Sequence, residues 1–188
     1  MIDFDPARGW RSIEERLART TDPRHRQHLE TVIAHMKAES ARDVDGLMGT
    51  LVDDPGYHFY SGTGPDRGPK GFRAIRQYYV DFAGSGGAVL MSPKDRICVD
   101  DDYVVCEGTL TTLASGRIAK ARGYTVPSEE GHYLIAMRNT VWWSFGDDGR
   151  AIGEDVYSVT DPDAWQRVER DDLPSDYVQY LKGLGQEV

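Results

Sequence analysis

The stretch VWWSFGDDGRAIGEDVYSV, residues 141–159, decides the fold. Two runs rich in β-branched and aromatic residues flank Gly146-Asp147-Asp148-Gly149, which is turn chemistry, so the sequence predicts a β-hairpin. Successive side chains point to opposite faces of a strand. In the second arm Asp155, Tyr157 and Val159 share one side, and Glu154, Val156 and Ser158 share the other. In the first arm Val141, Trp143 and Phe145 alternate with Arg138, Thr140 and Trp142. With one large ring on each side, one tryptophan is expected to pack under helices and the other to face a partner subunit. The alternation leaves open which is which.

Before this hairpin, AVLMS, RICVD, YVVCEGTLTTL and YLIAMRNTVWWSF all read as strands, and ARGYTVPSEEGH as a longer crossing before the last of them. YHFYSG is a short aromatic strand earlier still. Helical spacing marks the rest. Trp10, Ile13 and Leu17 define a short amphipathic arm. Asp22-Pro23 is an N-cap with proline in the first turn. Behind it Leu29, Val32, Ile33 and Met36 form one face of a helix reaching about Ala41. A short helix follows over 43–51, and Pro69 opens another in which Phe72, Ile75, Tyr79 and Phe82 share a face. Asp161-Pro162 predicts a cap for a helix bearing Trp165 and Val168, and a last helix carries Tyr177, Tyr180, Leu181 and Leu184. Helices first and strands afterwards imply an α+β domain with a curved, mostly antiparallel sheet. The expected division is an N-terminal helical arm over 1–22, a domain over 23–160 and a C-terminal helical extension over 161–188.

Composition removes several function classes. The 188 residues carry a formal net charge of −9, and no lysine- or arginine-rich stripe offsets it, so nucleic acid is not an expected partner. No window nears eighteen consecutive apolar residues, so no membrane span is expected. MIDFDPARGW lacks a basic region followed by an apolar one, and the expected location is cytoplasmic. Cys98 and Cys106 lie on neighbouring predicted strands and read as two small buried hydrophobes. His28, His35 and Glu39 fall along one helix flank. His28 and His35 are two turns apart, too far to hold one ion unaided, so no metal is expected.

Three stretches in order carry a resemblance: DVDGLMGTLVDD, GPKGFRAIRQYY and FGDDGRAIGEDVYSV. Together they resemble the nuclear transport factor 2-like superfamily, which includes ketosteroid isomerase, scytalone dehydratase and the SnoaL-like polyketide cyclases. The resemblance spans roughly residues 25 to 160. It implies a cone-shaped sheet with three helices packed on it, an apolar pocket inside and a homodimer. It also implies cofactor-independent acid–base chemistry on a hydrophobic or aromatic small molecule, or a non-catalytic binding or interaction module on the same scaffold.

A carboxyl in such a cone has its pKa raised by desolvation, which suits general acid–base work near neutrality. Glu107, interrupting an apolar strand, is a candidate base or else a residue on the solvated face. His58 is a second candidate base. Tyr60 and Arg138 are candidate electrophilic helpers, Arg138 equally a structural ion-pair partner for Glu107. Asp155 is a candidate orienting acid. Trp142, Trp143, Tyr157, Phe59 and His132 are candidate ligand contacts. The chain departs from its relatives at their catalytic positions. The isomerase's aspartate strand reads Tyr57-His58-Phe59-Tyr60, the dehydratase's histidine strand reads AVLMSPKD, and Val141 stands near the cyclase aspartate.

Overall fold

The computed structural model describes residues 2–186 and 188. Helix α1 spans Arg8–Ala18, α2 Pro23–Ala41 and α3 Val44–Met48; β1 spans His58–Ser61 and α4 Phe72–Gly84. The strands β2 (Leu90–Met91), β3 (Lys94–Val99) and β4 (Tyr103–Ser115) follow, then α5 (Gly116–Ala121), β5 (His132–Phe145), β6 (Ala151–Val168) and α6 (Ser175–Gly183). The architecture is the α+β one read from the sequence. Asp22 caps α2 by accepting from the backbone N–H groups of Arg24 and His25 at 2.9 and 3.1 Å, and Pro23 opens the first turn. The expected stripe of Leu29, Val32, Ile33 and Met36 is buried.

One six-stranded sheet runs β1-β6-β5-β4-β2, with β3 also on β4. All pairings are antiparallel except β1 on β6. The hairpin closes through Gly149, whose φ of +77° needs glycine. Gly146 N–H donates to the Arg150 carbonyl at 2.9 Å. Its register assigns the faces: Trp143 pairs with Glu154, Val141 with Val156, and Trp142 with Asp155. Trp143 is buried among residues of α2, α3 and α4, whereas Trp142 is exposed. The concave, helix-covered side therefore carries Val104, Cys106, Val141, Trp143, Glu154 and Val156.

The structure differs from the sequence reading in three places. No helix begins at Asp161, because β6 continues to Val168 and pairs Trp165 with Ile135 and Val168 with His132. The register jumps from Thr160 to Trp165 across a single β5 residue, so Asp161-Pro162 sits in a bulge, where proline's missing N–H costs nothing. Helix in this extension is confined to α6 and a short 3₁₀ turn over Arg170–Asp172. A second difference is α5, which opens the stretch between β4 and β5. The third concerns the cysteines. Ile97 pairs with Cys106 and Cys98 with Val105, so Cys106 is buried and Cys98 is exposed on the other face. Among the described residues no helix is long and apolar enough to cross a membrane.

Candidate functional site

The polar groups inside the concave face centre on Glu154. Its side chain is 14% exposed and His35 is 2% exposed. β6 aims Glu154 inward, and the α2 stripe brings His35 onto Trp143, ring centroids 4.8 Å apart and edge-on. His35 Nδ1 lies 2.7 Å from Thr50 Oγ1. That hydroxyl donates to the Leu47 carbonyl at 2.7 Å, so it accepts from His35 Nδ1–H. Burial holds the imidazole neutral, its pKa lowered to about 3. Nε2 is therefore a free lone pair, 3.0 Å from the Tyr79 hydroxyl and 3.3 Å from Glu154 Oε1. Tyr79 in turn bonds the Tyr57 hydroxyl at 2.9 Å and approaches Glu154 at 3.4 Å. A carboxyl, an imidazole and two phenols thus share protons in one continuous network.

Burial also shifts the acids. Glu154 is raised to about 8, first by desolvation and then by the charge of Glu39. Glu39, one turn after His35 on the same flank of α2, is raised to about 7 by desolvation, with Lys94 opposing. Near neutral pH one carboxyl is thus mostly protonated and the other divided between its forms. Both phenols are held well above the usual range, again by desolvation. Beside Glu39 a cavity of about 10 Å³ opens among Arg42, Leu47, Tyr79 and Phe82. It has room for about one water.

The residues singled out in the sequence lie mostly on the other face of the same sheet. Arg138 donates to Glu107 at 2.6 Å, Arg96 donates to Glu107 at 2.9 Å, and Arg138 also pairs with Asp95. Arg138 is the main cause of Glu107's lowered pKa. His58 binds Asp66 at 2.8 Å. Tyr60 stacks on Tyr157 with centroids 5.1 Å apart, and Asp155 lies between Trp142 and His58 in register. Glu107 and Arg138 come together, and Tyr60 and Tyr157 come together, all on the convex side. His132 is buried, with Nδ1 3.0 Å from the Tyr177 hydroxyl of α6. Phe59 and Trp143 face the core.

Of Glu154, His35, Tyr57, Tyr79 and Glu39, the sequence brings together only His35 and Glu39, on the α2 flank weighed there for a metal ion. The alternation groups Glu154 with Val156 and Tyr57 with Phe59, but only the long-range register says that this side is inside. A histidine and a glutamate one turn apart beside an apolar stripe were the available signal. His28, on the same flank, stacks on Phe145 at 4.0 Å. Among the described residues no three His, Cys, Asp or Glu side chains are grouped to hold a metal ion.

A curled six-stranded sheet closed over by helices on its concave side is also the fold of solved SnoaL-like and NTF2-like proteins. A candidate SnoaL-like polyketide cyclase from Shewanella putrefaciens CN-32 superposes with a TM-score of 0.60 at 12% identity, over 84% of this chain and 90% of that one. A second, from Shewanella denitrificans OS-217, gives 0.57 at 14% identity, over 81% and 96%. A Mycobacterium tuberculosis protein in complex with estradiol-17β-hemisuccinate gives 0.51 at 16% identity, over 74% and 98%. At these identities the likeness is one of fold. No family model matches the sequence, and no curated protein matches it.

Proposed function

We propose that the protein is a cofactor-independent acid–base catalyst, of the isomerase, cyclase or dehydratase type, acting in the cytosol. Its substrate is a hydrophobic or aromatic small molecule bearing a carbonyl. One observation carries this reading: two carboxyls on the concave side, Glu39 and Glu154, titrate near neutrality beside a His35–Tyr79–Tyr57 relay. Glu39 takes a proton from the carbon next to the carbonyl. Protonated Glu154 donates to the oxygen that gains charge, and Tyr79, hydrogen-bonded to Tyr57 and to neutral His35, holds that carboxyl in place. In this reading the convex Glu107–Arg138 pair is structural.

The test is solvent exchange: a polycyclic aromatic ketone is held with the protein in deuterated buffer, and loss of its α-hydrogens is followed by NMR. Exchange is expected to fall by about 10²–10⁴ in Glu39→Gln and Glu154→Gln. Equal rates in wild type and both variants would sink the proposal. A second reading, a non-catalytic binder, is favoured by the steroid ester held in a structure of the same fold. A ketone that raises the melting temperature yet keeps its hydrogens would select it.

The convex face supports a homodimer. Tyr103, Trp142, Tyr157 and Val159 are exposed there, large apolar side chains of the kind that interfaces cover. Beside it Asp95, Arg96, Glu107 and Arg138 form a quartet whose formal charges cancel. The quartet therefore adds no net charge to this face, where Asp155 is the acid in register with Trp142.

A further inference from the structure

β3 breaks register at its start: Lys94 pairs with Gly108, but Arg96 pairs with Glu107, leaving Asp95 as an extra residue. In an unbroken strand Lys94 and Arg96 would share a face. The bulge separates them. Asp95 and Arg96 turn to Arg138 and Glu107 on the convex side, while Lys94 takes the parity of Gly108 on the concave side. Gly108 keeps this approach open, since a Cβ there would lie 2.2 Å from the Pro93 carbonyl oxygen.

The chain has five lysines, Lys37, Lys70, Lys94, Lys120 and Lys182. Lys37, Lys70 and Lys120 each face a carboxylate. Lys94 Nζ donates to Ser92 Oγ at 2.7 Å, and among the described residues it makes no ion pair within 4 Å. The titratable groups facing it are Glu39 from α2, Cys106 from β4 and Glu154 from β6. We infer that Lys94 is a covalent binding site for small aldehydes and ketones, its ε-amine aimed by the bulge into the concave interior beside two carboxyls able to move protons. Desolvation lowers the Lys94 ammonium pKa against the pull of those three neighbours, which enlarges the share of free amine, the attacking form. Burial pushes the Cys106 thiol up to about 11, so it does not compete as a thiolate.

The step balances without an added oxidant or reductant. The Nζ lone pair forms a bond to the carbonyl carbon, and the carbonyl π pair moves to oxygen. That oxygen takes a proton from a neighbouring carboxyl, giving a carbinolamine. Nitrogen gives its extra proton to a carboxylate, the hydroxyl is protonated again and leaves as water, and a C=N bond remains. Like the acid–base reading, the inference requires small molecules to enter the concave interior, but it does not require turnover by Glu39 or Glu154.

The test is reductive trapping: the folded full chain is treated at neutral pH with benzaldehyde and sodium cyanoborohydride, then weighed intact and mapped by peptide mass. One dominant benzylated residue, Lys94, is expected, with that adduct lost in Lys94→Arg and retained in Glu107→Gln, whose side chain lies on the convex face. Adducts spread over Lys37, Lys70, Lys120 and Lys182 with no preference for Lys94 would overturn the inference in the wild type alone, as would an unchanged adduct level in Lys94→Arg. Trapping at Lys94 in a protein that exchanges no ketone hydrogens would overturn the acid–base reading and leave this one standing.

Discussion

Glu154 binds its proton more tightly in the folded chain than in the unfolded one. Its ordinary value is 4.5, and burial with the nearby charge of Glu39 raises it to about 8. Between these values the native state holds a proton that the unfolded state has lost. Stability from this group is therefore complete below the unfolded value and drains as pH rises through the folded one, by up to about 1.4 kcal/mol per pH unit. Glu39 acts with the same sign up to about 7. His35 has the opposite sign: its folded value of about 3 lies below the ordinary 6.5, so its contribution is complete above 6.5 and is lost as pH falls. The melting temperature should consequently fall between about pH 6 and about pH 8.5, and Glu154→Gln, neutral at every pH, should flatten that fall. Parallel melting curves for the two proteins across that range would contradict a carboxyl held protonated by burial. On the convex side Glu107→Gln breaks the pairing with Arg96 and Arg138, whose guanidinium groups are exposed, so urea titration should register little change, and ketone exchange should be unchanged.

At the scale of elements, the site depends on how closely β1 lies against β6. Gly56 N–H donates to the Ile152 carbonyl at 2.9 Å, and a Cβ on Gly153 would sit 1.8 Å from the Gly56 carbonyl oxygen. Gly153→Ala must push the chain before β1 outward and carry Tyr57 away from Tyr79. Urea titration should show a loss of about 1–3 kcal/mol or more, with ketone exchange lost as well. Gly183→Ala, where no atom lies within 4 Å, should be neutral or stabilising by up to about 1 kcal/mol, as expected at the end of a helix. A neutral result at Gly153 would mean that β1 and β6 do not approach this closely. The elements themselves were largely legible, because their signals are local: the Asp22 cap, the α2 stripe and the glycine turn at 146–149 each act over a few residues. The helix expected at Asp161 failed for the complementary reason. Asp-Pro reads as a cap in isolation, but His132, Leu134 and Ile135 of β5 offer strand partners to residues 165–168, and the ladder overrides the local preference.

Across the whole molecule, the missing information was a single binary choice. Alternation separates Glu154 from Asp155 and Trp143 from Trp142 within each strand, yet which set is inside depends on where α2 lands, and α2 ends at Ala41, far before β5 begins at His132. The acids and rings that looked chemical in the sequence, Glu107, Tyr60, Asp155, Trp142 and Tyr157, share the convex parity. The same parity choice makes a prediction about assembly. If the convex face joins two copies, Trp142→Glu places a carboxylate amid Tyr103, Val105 and Tyr157 of its own chain and against the facing copy. Burying an unpaired charge there costs several kcal/mol, whereas the variant costs the isolated chain little, since Trp142 is already 42% exposed. Light scattering should give twice the chain mass for the wild type and a single-chain mass for Trp142→Glu, with the far-ultraviolet circular dichroism unchanged. Asp95, Arg96, Glu107 and Arg138 satisfy one another within each chain, so raising the salt concentration should shift the dimer equilibrium little, as expected for contact dominated by apolar burial. A wild type that scatters as one chain at every concentration would mean that the aromatic surface is covered by something other than a second copy.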